Sequence, residues 1–281
     1  MRIVIGTAQF GLRYGYKKNK VSTFEVNNIF KILKKKNIDF FDTATTYGKS
    51  QKILGKTKKK KIISKIQIPK KKIKNHFQWV SSELNNIIKE TKEKKIHTIL
   101  FHNPEKLKFN KNLIKILKYF KKKKFITNIG ISVYSPGDIK KILNFWKPDI
   151  IQFPLNIFDQ RILKNDYISF LKKKKIKLMA RSCFLQGLAL EDEVFFKDPK
   201  AVKLHQNFKK WCKLKKINKL DACLNFVRSI NQLDYCIFGF ENSKQLKAIL
   251  RGLKLKKKKM NFDNFSSENL NLIDPRKWKK N

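Results

Sequence analysis

The chain has 281 residues, with 67 basic against 21 acidic side chains and a formal net charge of +46 at pH 7. Its 41% hydrophobic content and 23 phenylalanines suffice for a sizeable core, which excludes wholesale disorder despite the charge. No apolar run approaches the roughly 18 residues of a transmembrane helix, and the apolar stretch after Met1-Arg2 is too short for a signal peptide.

In chain order, strand-like segments recur at 2–7, 38–43, 62–67, 97–102, 126–132, 149–155, 176–182 and 235–240. Segments with helical spacing lie between them: Val26, Ile29, Phe30 and Leu33, then Leu84, Ile87 and Ile88, then Leu113, Ile116, Leu117 and Phe120. Ser22 or Thr23 caps the first, with Glu25 in its first turn, and Ser135-Pro136-Gly137-Asp138 opens another. Strands that are nearly continuous in apolar content and alternate with helices imply a parallel sheet buried on both faces. Almost every strand ends in a polar residue or glycine: Thr7, Asp42, Lys65, His102, Ser132, Gln152, Arg181 and Gly239. An open doubly wound sheet gathers its active groups at one switch point. Polar ends spread over eight strands fit the catalytic face of a (β/α)8 TIM barrel. The expected fold is therefore α/β, one domain over 1–281. An extra loop and helix at about 184–216 should lie over the mouth, a seventh barrel helix near 220–230, and a tail at about 260–281.

The charge by itself is a weak guide to partners. Only seven of the basic residues are arginine, whereas readers of phosphate and base edges favour the bidentate guanidinium. Lys, Ile, Asn and Phe share A/T-rich codons, so codon bias accounts for the composition. Specific nucleic-acid binding is not expected, and weak non-specific polyanion binding is. Lysine runs at 34–36, 58–61, 94–95, 121–124 and 172–175 each precede a short apolar segment, as solvated helix ends do. Cys183, Cys212, Cys223 and Cys236 lie 29, 11 and 13 residues apart, which matches neither a zinc nor a redox pair. No metal site and no membrane insertion are expected, and a cytoplasmic location with reduced thiols is.

Four polar groups make one chemistry. Asp42 sits in Phe40-Phe41-Asp42-Thr43-Ala44, Tyr47 follows five residues later, Lys65 ends the third strand and His102 the fourth. A phenol is a poor acid at neutral pH. A neighbouring ammonium stabilises the phenolate and lowers its pKa, and a carboxylate holds that ammonium in place. An imidazole orients a carbonyl oxygen near the phenol. The set suits protonation of a carbonyl oxygen as its carbon receives hydride.

At these residues the chain resembles the aldo-keto reductase superfamily. The likeness runs from Gly6-Thr7-Ala8-Gln9-Phe10-Gly11 to Ile237-Phe238-Gly239-Phe240-Glu241-Asn242-Ser243. The opening and Arg181-Ser182-Cys183-Phe184-Leu185-Gln186-Gly187 look like a bacterial branch. The resemblance implies a catalytic tetrad of Asp42, Tyr47, Lys65 and His102, although the step from Tyr47 to Lys65 is shorter than in many members. It further implies that Ser132 and Gln152 bind the nicotinamide carboxamide. Val133 replaces an Asn common at the next position, and Arg181 stands where a ring-stacking Tyr is often found. The loop from Gly239 to Leu246 would hold the adenosine phosphates at a helix N-terminus. Gly6, Thr7, Asp42, Ser182, Phe184, Gly187, Asn242 and Gln245 complete the implied cofactor-binding set. Many members carry a Lys at the Gly239 position and an Asn near Ile249. Lys244, with Arg251, is the remaining cation for a 2′-phosphate, so NADPH is the expected cofactor and NADH the alternative.

The expected activity is reduction of a small carbonyl compound (an aldehyde, ketone or sugar derivative), or the reverse oxidation. Two rivals stand beside it: a redox-neutral sugar-modifying enzyme with tightly held cofactor, and a basic polyanion-binding protein on the same barrel. Tyr14, Tyr16, Phe184 and Trp278 are candidates for a substrate pocket or for packing. His76, His97 and His205 read as structural. Oligomeric state is not legible.

Overall fold

The computed structural model describes residues 1–194 and 196–278. Phe195, in the expected loop at 184–216, and the last three positions of the expected tail lie outside the described residues.

From the amino terminus, β1 (Arg2–Gly6) leads through one turn of helix, α1 (Ala8–Gly11), to α2 (Thr23–Lys35). β2 (Phe40–Asp42) and the short α3 (Ser50–Leu54) precede β3 (Lys61–Ile66), α4 (His76–Thr91), β4 (Ile96–Phe101) and α5 (Asn112–Lys122). β5 (Ile126–Ser132), α6 (Pro136–Leu143), β6 (Ile150–Pro154), α7 (Tyr167–Lys173) and β7 (Lys177–Arg181) follow. Two helices, α8 (Pro199–Leu214) and α9 (Lys219–Ser229), separate β7 from β8 (Tyr235–Phe238). α10 (Ser243–Gly252) completes the ring, and α11 (Leu270–Ile273) lies in the tail. All eight strands are parallel and close into a barrel in chain order, with β8 pairing β1.

Local chemistry explains the helix starts. Ser22, rather than Thr23, is the cap of α2, its hydroxyl accepting from Glu25 N at 3.2 Å. At α6 Ser135 Oγ accepts from Asp138 N and Asp138 Oδ2 accepts from Ser135 N, a reciprocal capping box. The second strand spans three of the six expected positions, 38–43, and the chain beyond Asp42 turns into a loop. That loop still follows β3: Thr43 N donates to Ile63 O at 2.8 Å and Thr45 N to Lys65 O at 3.0 Å.

Alternation along the strands places the site. Val4, Phe40, Ile63, Leu100, Ile150, Met179, Tyr235 and Ile237 form a packed core inside the barrel. Their neighbours in sequence, such as Phe41, Ile62, Ile99 and Ile151, face the helices in the larger outer core. Side chains two apart share a face. The next inward position above Phe40, Ile63, Leu100, Ile150 and Met179 is therefore Asp42, Lys65, His102, Gln152 or Arg181. An apolar plug floors a polar layer at the carboxyl ends of the strands. On β5 the plug level is Gly130, where a Cβ would come within 2.1 Å of Ile150 O.

α8 packs against the loop after β6 and against the tail, through Phe208 with Phe158 at 5.6 Å and with Phe265 at 5.4 Å. It contributes no residue to the lining of the main cleft described below. Tyr16, Phe196 and Trp278 form an aromatic cluster with centroids 5.7–6.2 Å apart that fastens the tail to the first loop. Among the described residues no helix is long and apolar enough to cross a membrane.

Candidate active site

Asp42 and Lys65 meet on adjacent strands above the plug. Lys65 Nζ donates to Asp42 Oδ1 at 2.6 Å and to Thr43 O at 3.0 Å, and both side chains are buried. The second oxygen of Asp42 accepts from Gln152 Nε2 at 2.7 Å, and Gln152 Oε1 in turn accepts from Ser132 Oγ at 3.1 Å. Ser132, Gln152, Asp42 and Lys65 thus form one hydrogen-bonded chain across four strands. Gln152 is fully buried and does not line the cleft. Its link to Asp42 is a positioning contact that sequence reasoning missed, since it joins residues 110 apart.

Tyr47 and His102 stand above this chain. Lys65 Nζ lies 4.9 Å from the centroid of the Tyr47 ring, and the rings of Tyr47 and His102 meet edge to face at 6.0 Å. Thr46 Oγ1 and His102 Nδ1 are 3.4 Å apart, within hydrogen-bond reach. The loop carrying Tyr47 is held by small residues. At Gly11 a Cβ would fall 1.8 Å from Tyr47 O, and Gly48 adopts φ +54° directly after the tyrosine. Ser50 Oγ joins the ends of β1 and β2, with Thr7 Oγ1 at 2.7 Å, Thr43 Oγ1 at 3.1 Å and a bond donated to Thr7 O at 3.0 Å. Gly11, from the Gly-Thr-Ala-Gln-Phe-Gly opening, was legible as a motif residue; Ser50 carried no signal.

The electrostatics depart from expectation in one respect. Burial first, and the Asp42 charge second, push the Tyr47 phenol above its usual range, with Arg181 opposing. The expected lowering by Lys65 is absent, because its ammonium is engaged by Asp42 and faces the ring rather than the hydroxyl. Burial lowers Lys65, and the bonded Asp42 carboxylate partly restores it. Burial also pulls the His102 imidazole down to about 3, aided by the Lys65 and Arg181 charges, so it is neutral near pH 7.

A cleft of about 200 Å3 opens beside this group. Asp42 and Tyr47 reach it, together with Gly6 and Thr7 from the end of β1. Of the expected cofactor residues, Arg181, Ser182, Phe184 and Gly187 from the β7 loop and Gly239 and Gln245 from the β8 loop also line it. Ser132 lies buried behind this wall, Asn242 caps α10, and Lys244 is exposed; none of the three lines the cleft. The Arg181 guanidinium donates to Val133 O at 2.9 Å and lies 4.4 Å from the centroid of the Tyr134 ring.

The loop after β1 is stitched across the mouth. Gln186 Nε2 donates to Tyr14 Oη at 2.8 Å, Tyr16 N to Gln186 O at 2.8 Å, and Gln9 Nε2 to Tyr14 O at 3.2 Å. Tyr14 and Phe184 therefore belong to the cleft, while Tyr16 and Trp278 pack in the tail cluster. Gln9, Gln186 and Glu241 also line the cleft; all three sit inside the segments that carry the family resemblance, although none was expected to contribute. Among the described residues there is no group of His, Cys, Asp and Glu arranged to hold a metal ion.

Known proteins agree with this architecture. The family model for the aldo/keto reductase family matches residues 2–268. The fold is similar to a glycerol dehydrogenase from Gluconobacter oxydans, at 17% identity over 92% of this chain and 88% of that one, with a TM-score of 0.67. It is equally similar to the holo form of an aldo-keto reductase from Bacillus halodurans, at 14% identity, the same two coverages and a TM-score of 0.67. No curated protein sequence matches. With a family match over nearly its whole length, on a closed eight-stranded barrel, the chain belongs to the aldo/keto reductase family and is an oxidoreductase.

Proposed function

We propose that this enzyme reduces a small carbonyl compound to an alcohol, or runs the reverse oxidation, with a nicotinamide dinucleotide. The observation that carries the reading is the buried Lys65–Asp42 pair against the Tyr47 ring, with His102 beside that ring and with Asp42 and Tyr47 reaching the cleft. The dinucleotide, when bound, supplies or accepts the hydride. The cleft walls fit it in kind: the Arg181 guanidinium, held by Val133 O and the Tyr134 ring, a hydroxyl at Ser182 and an aromatic face at Phe184 line it. Thr7, Gly187, Gly239 and Gln245 offer backbone and polar contacts along the same wall.

In this reading Tyr47 is the general acid. Its raised pKa keeps the proton on the phenol at neutral pH, where an alkoxide forming on the substrate can take it. Neutral His102 orients the carbonyl oxygen toward that phenol. Lys65 supplies positive charge beneath the ring, and Asp42, itself held by Gln152, fixes Lys65. The test is depletion of reduced cofactor against a panel of aldehydes, ketones and sugars. Stoichiometric loss of reduced cofactor with alcohol formation is expected. Conversion of a sugar with no net cofactor loss would favour a redox-neutral reaction at the same site, and no turnover of any carbonyl would overturn the reading.

A further inference from the structure

The charged side chains lining the cleft fall into two sets. Asp42 is paired with Lys65 at 2.6 Å, and Glu191 with Lys17 at 2.8 Å. Arg181 and Glu241 have no ion-pair partner among the described residues; Glu241 Oε2 accepts only from Asn19 Nδ2, at 2.9 Å. These two lie at different depths. Arg181 belongs to the inward polar layer, whose charge is felt at Tyr47 and His102. Glu241 lies in the loop that enters α10, in the outer ring beside α2. Outside the ion pairs, the cleft thus carries a cation in its interior and an anion at its rim, where Lys17 is bonded to Glu191 and also feels the Glu241 charge.

The start of α10 is already supplied with acceptors. Glu25 Oε2, from α2, takes the Ser243 amide at 2.5 Å, and Asn242 Oδ1 takes the Gln245 amide at 2.9 Å. The Gln245 side chain turns back to accept from Glu241 N at 2.8 Å. A helix N-terminus attracts anions through its free amides and dipole. Here a carboxylate of the protein occupies that position, and a second one, Glu241, faces the cleft. Lys244, the cation expected to meet a 2′-phosphate, is exposed and outside the lining.

From this arrangement we infer that the enzyme selects a dinucleotide with a free adenosine 2′-hydroxyl, NADH, over NADPH, and that Glu241 makes the selection. The inference rests on the nicotinamide reading above. A dinucleotide whose nicotinamide reaches Tyr47 near the barrel axis carries its adenosine toward the rim. There an unpaired carboxylate accepts a hydrogen bond from a ribose hydroxyl. A 2′-phosphate at the same place meets the like charge of Glu241 and finds the Ser243 amide taken by Glu25.

Calorimetric titration of the full chain with NADH and with NADPH, without substrate, tests this. NADH should bind at least about tenfold more tightly, the effect of a like-charge contact worth about 1.4 kcal/mol or more. Glu241→Gln should bring the ratio below about threefold, chiefly by strengthening NADPH. The wild-type ratio decides the preference even if the variant fails to fold, and an unchanged ratio in Glu241→Gln or Glu241→Ala would remove Glu241 as its cause. Equal affinities, or tighter NADPH, would overturn the selection while leaving the nicotinamide reading intact. Failure of both dinucleotides to bind would overturn that reading and the selection with it.

Discussion

At Tyr47, the proposed general acid, the protonation state is set by burial rather than by the neighbouring cation. The phenol keeps its proton because desolvation and Asp42 both disfavour the phenolate. Tyr47→Phe removes that proton and little else, so turnover should fall about 10²–10⁴-fold while dinucleotide affinity measured by calorimetry changes little. Turnover close to wild type would remove Tyr47 from the mechanism. Lys65 behaves differently, since its loss leaves Asp42 buried without a cation. Lys65→Met should destabilise the fold by about 3–5 kcal/mol, the scale for breaking a buried pair from one side. Asp42→Leu combined with Lys65→Met should cost less than the two single changes summed, as coupled neighbours do. Urea unfolding of the three variants checks this.

Among the elements, the helix-to-strand turns carry an unusual chemistry. Lys92, Lys124 and Lys175 adopt φ between +56° and +61° just after helices, as Lys216 does at +48° in the turn from α8 to α9. Glycine commonly takes such positions, because a Cβ is strained there. Asparagine and lysine also hold φ +53° and +51° at Asn37 and Lys59. The codon bias inferred from composition is consistent with lysine in place of glycine at these ends. Lys124→Gly should therefore stabilise the protein by about 0.5–1 kcal/mol, read as a higher midpoint in urea. The same turns hold a few acids that anchor strands. Asp149 bonds Lys121 Nζ at 2.6 Å and Ile129 N at 2.8 Å, and Asp234 bonds Lys172 Nζ and Leu178 N at 2.9 and 2.7 Å.

Over the whole molecule, the lysine runs share one end of the barrel. Those at 34–36, 121–124 and 172–175 run from the last turn of a helix into the turn after it, that at 94–95 lies within such a turn and that at 58–61 ends on the first residue of β3, all opposite the polar layer. Short duplex DNA should bind this face weakly at low salt and release steeply as salt rises. Reductase activity should be unaffected, since the cleft is at the other end; salt-resistant binding that blocks catalysis would contradict the placement. Proton linkage acts on the molecule as a whole as well. His97, His102 and His205 are held by burial at about 4, 3 and 4, against about 6.5 in an unfolded chain. Between pH 6.5 and 4 the unfolded chain binds more protons, so their contribution is full above pH 6.5 and lost as pH falls toward 4. Melting temperature should drop over that range. The drop should be shallower in His205→Leu, which also removes a buried Nε2 lacking a hydrogen-bond partner.

Much of this was legible in the residues alone. Eight apolar runs with polar ends specify alternating strands and helices, and in a strand the period of two decides which residues share the barrel interior. The five-residue step from Asp42 to Tyr47 and the ends of the third and fourth strands brought the four candidate groups together on paper. Other features depended on closure of the barrel. Gln152 reaches Asp42 across 110 residues, and Glu25 reaches the start of α10 across 218. Ser50 joins β1 to β2 only because Gly11 lets the Tyr47 loop lie against α1. The direction of the Tyr47 shift belongs with these. Periodicity and spacing are local properties of a chain, whereas burial and through-space charge depend on which distant residues the fold places beside a group.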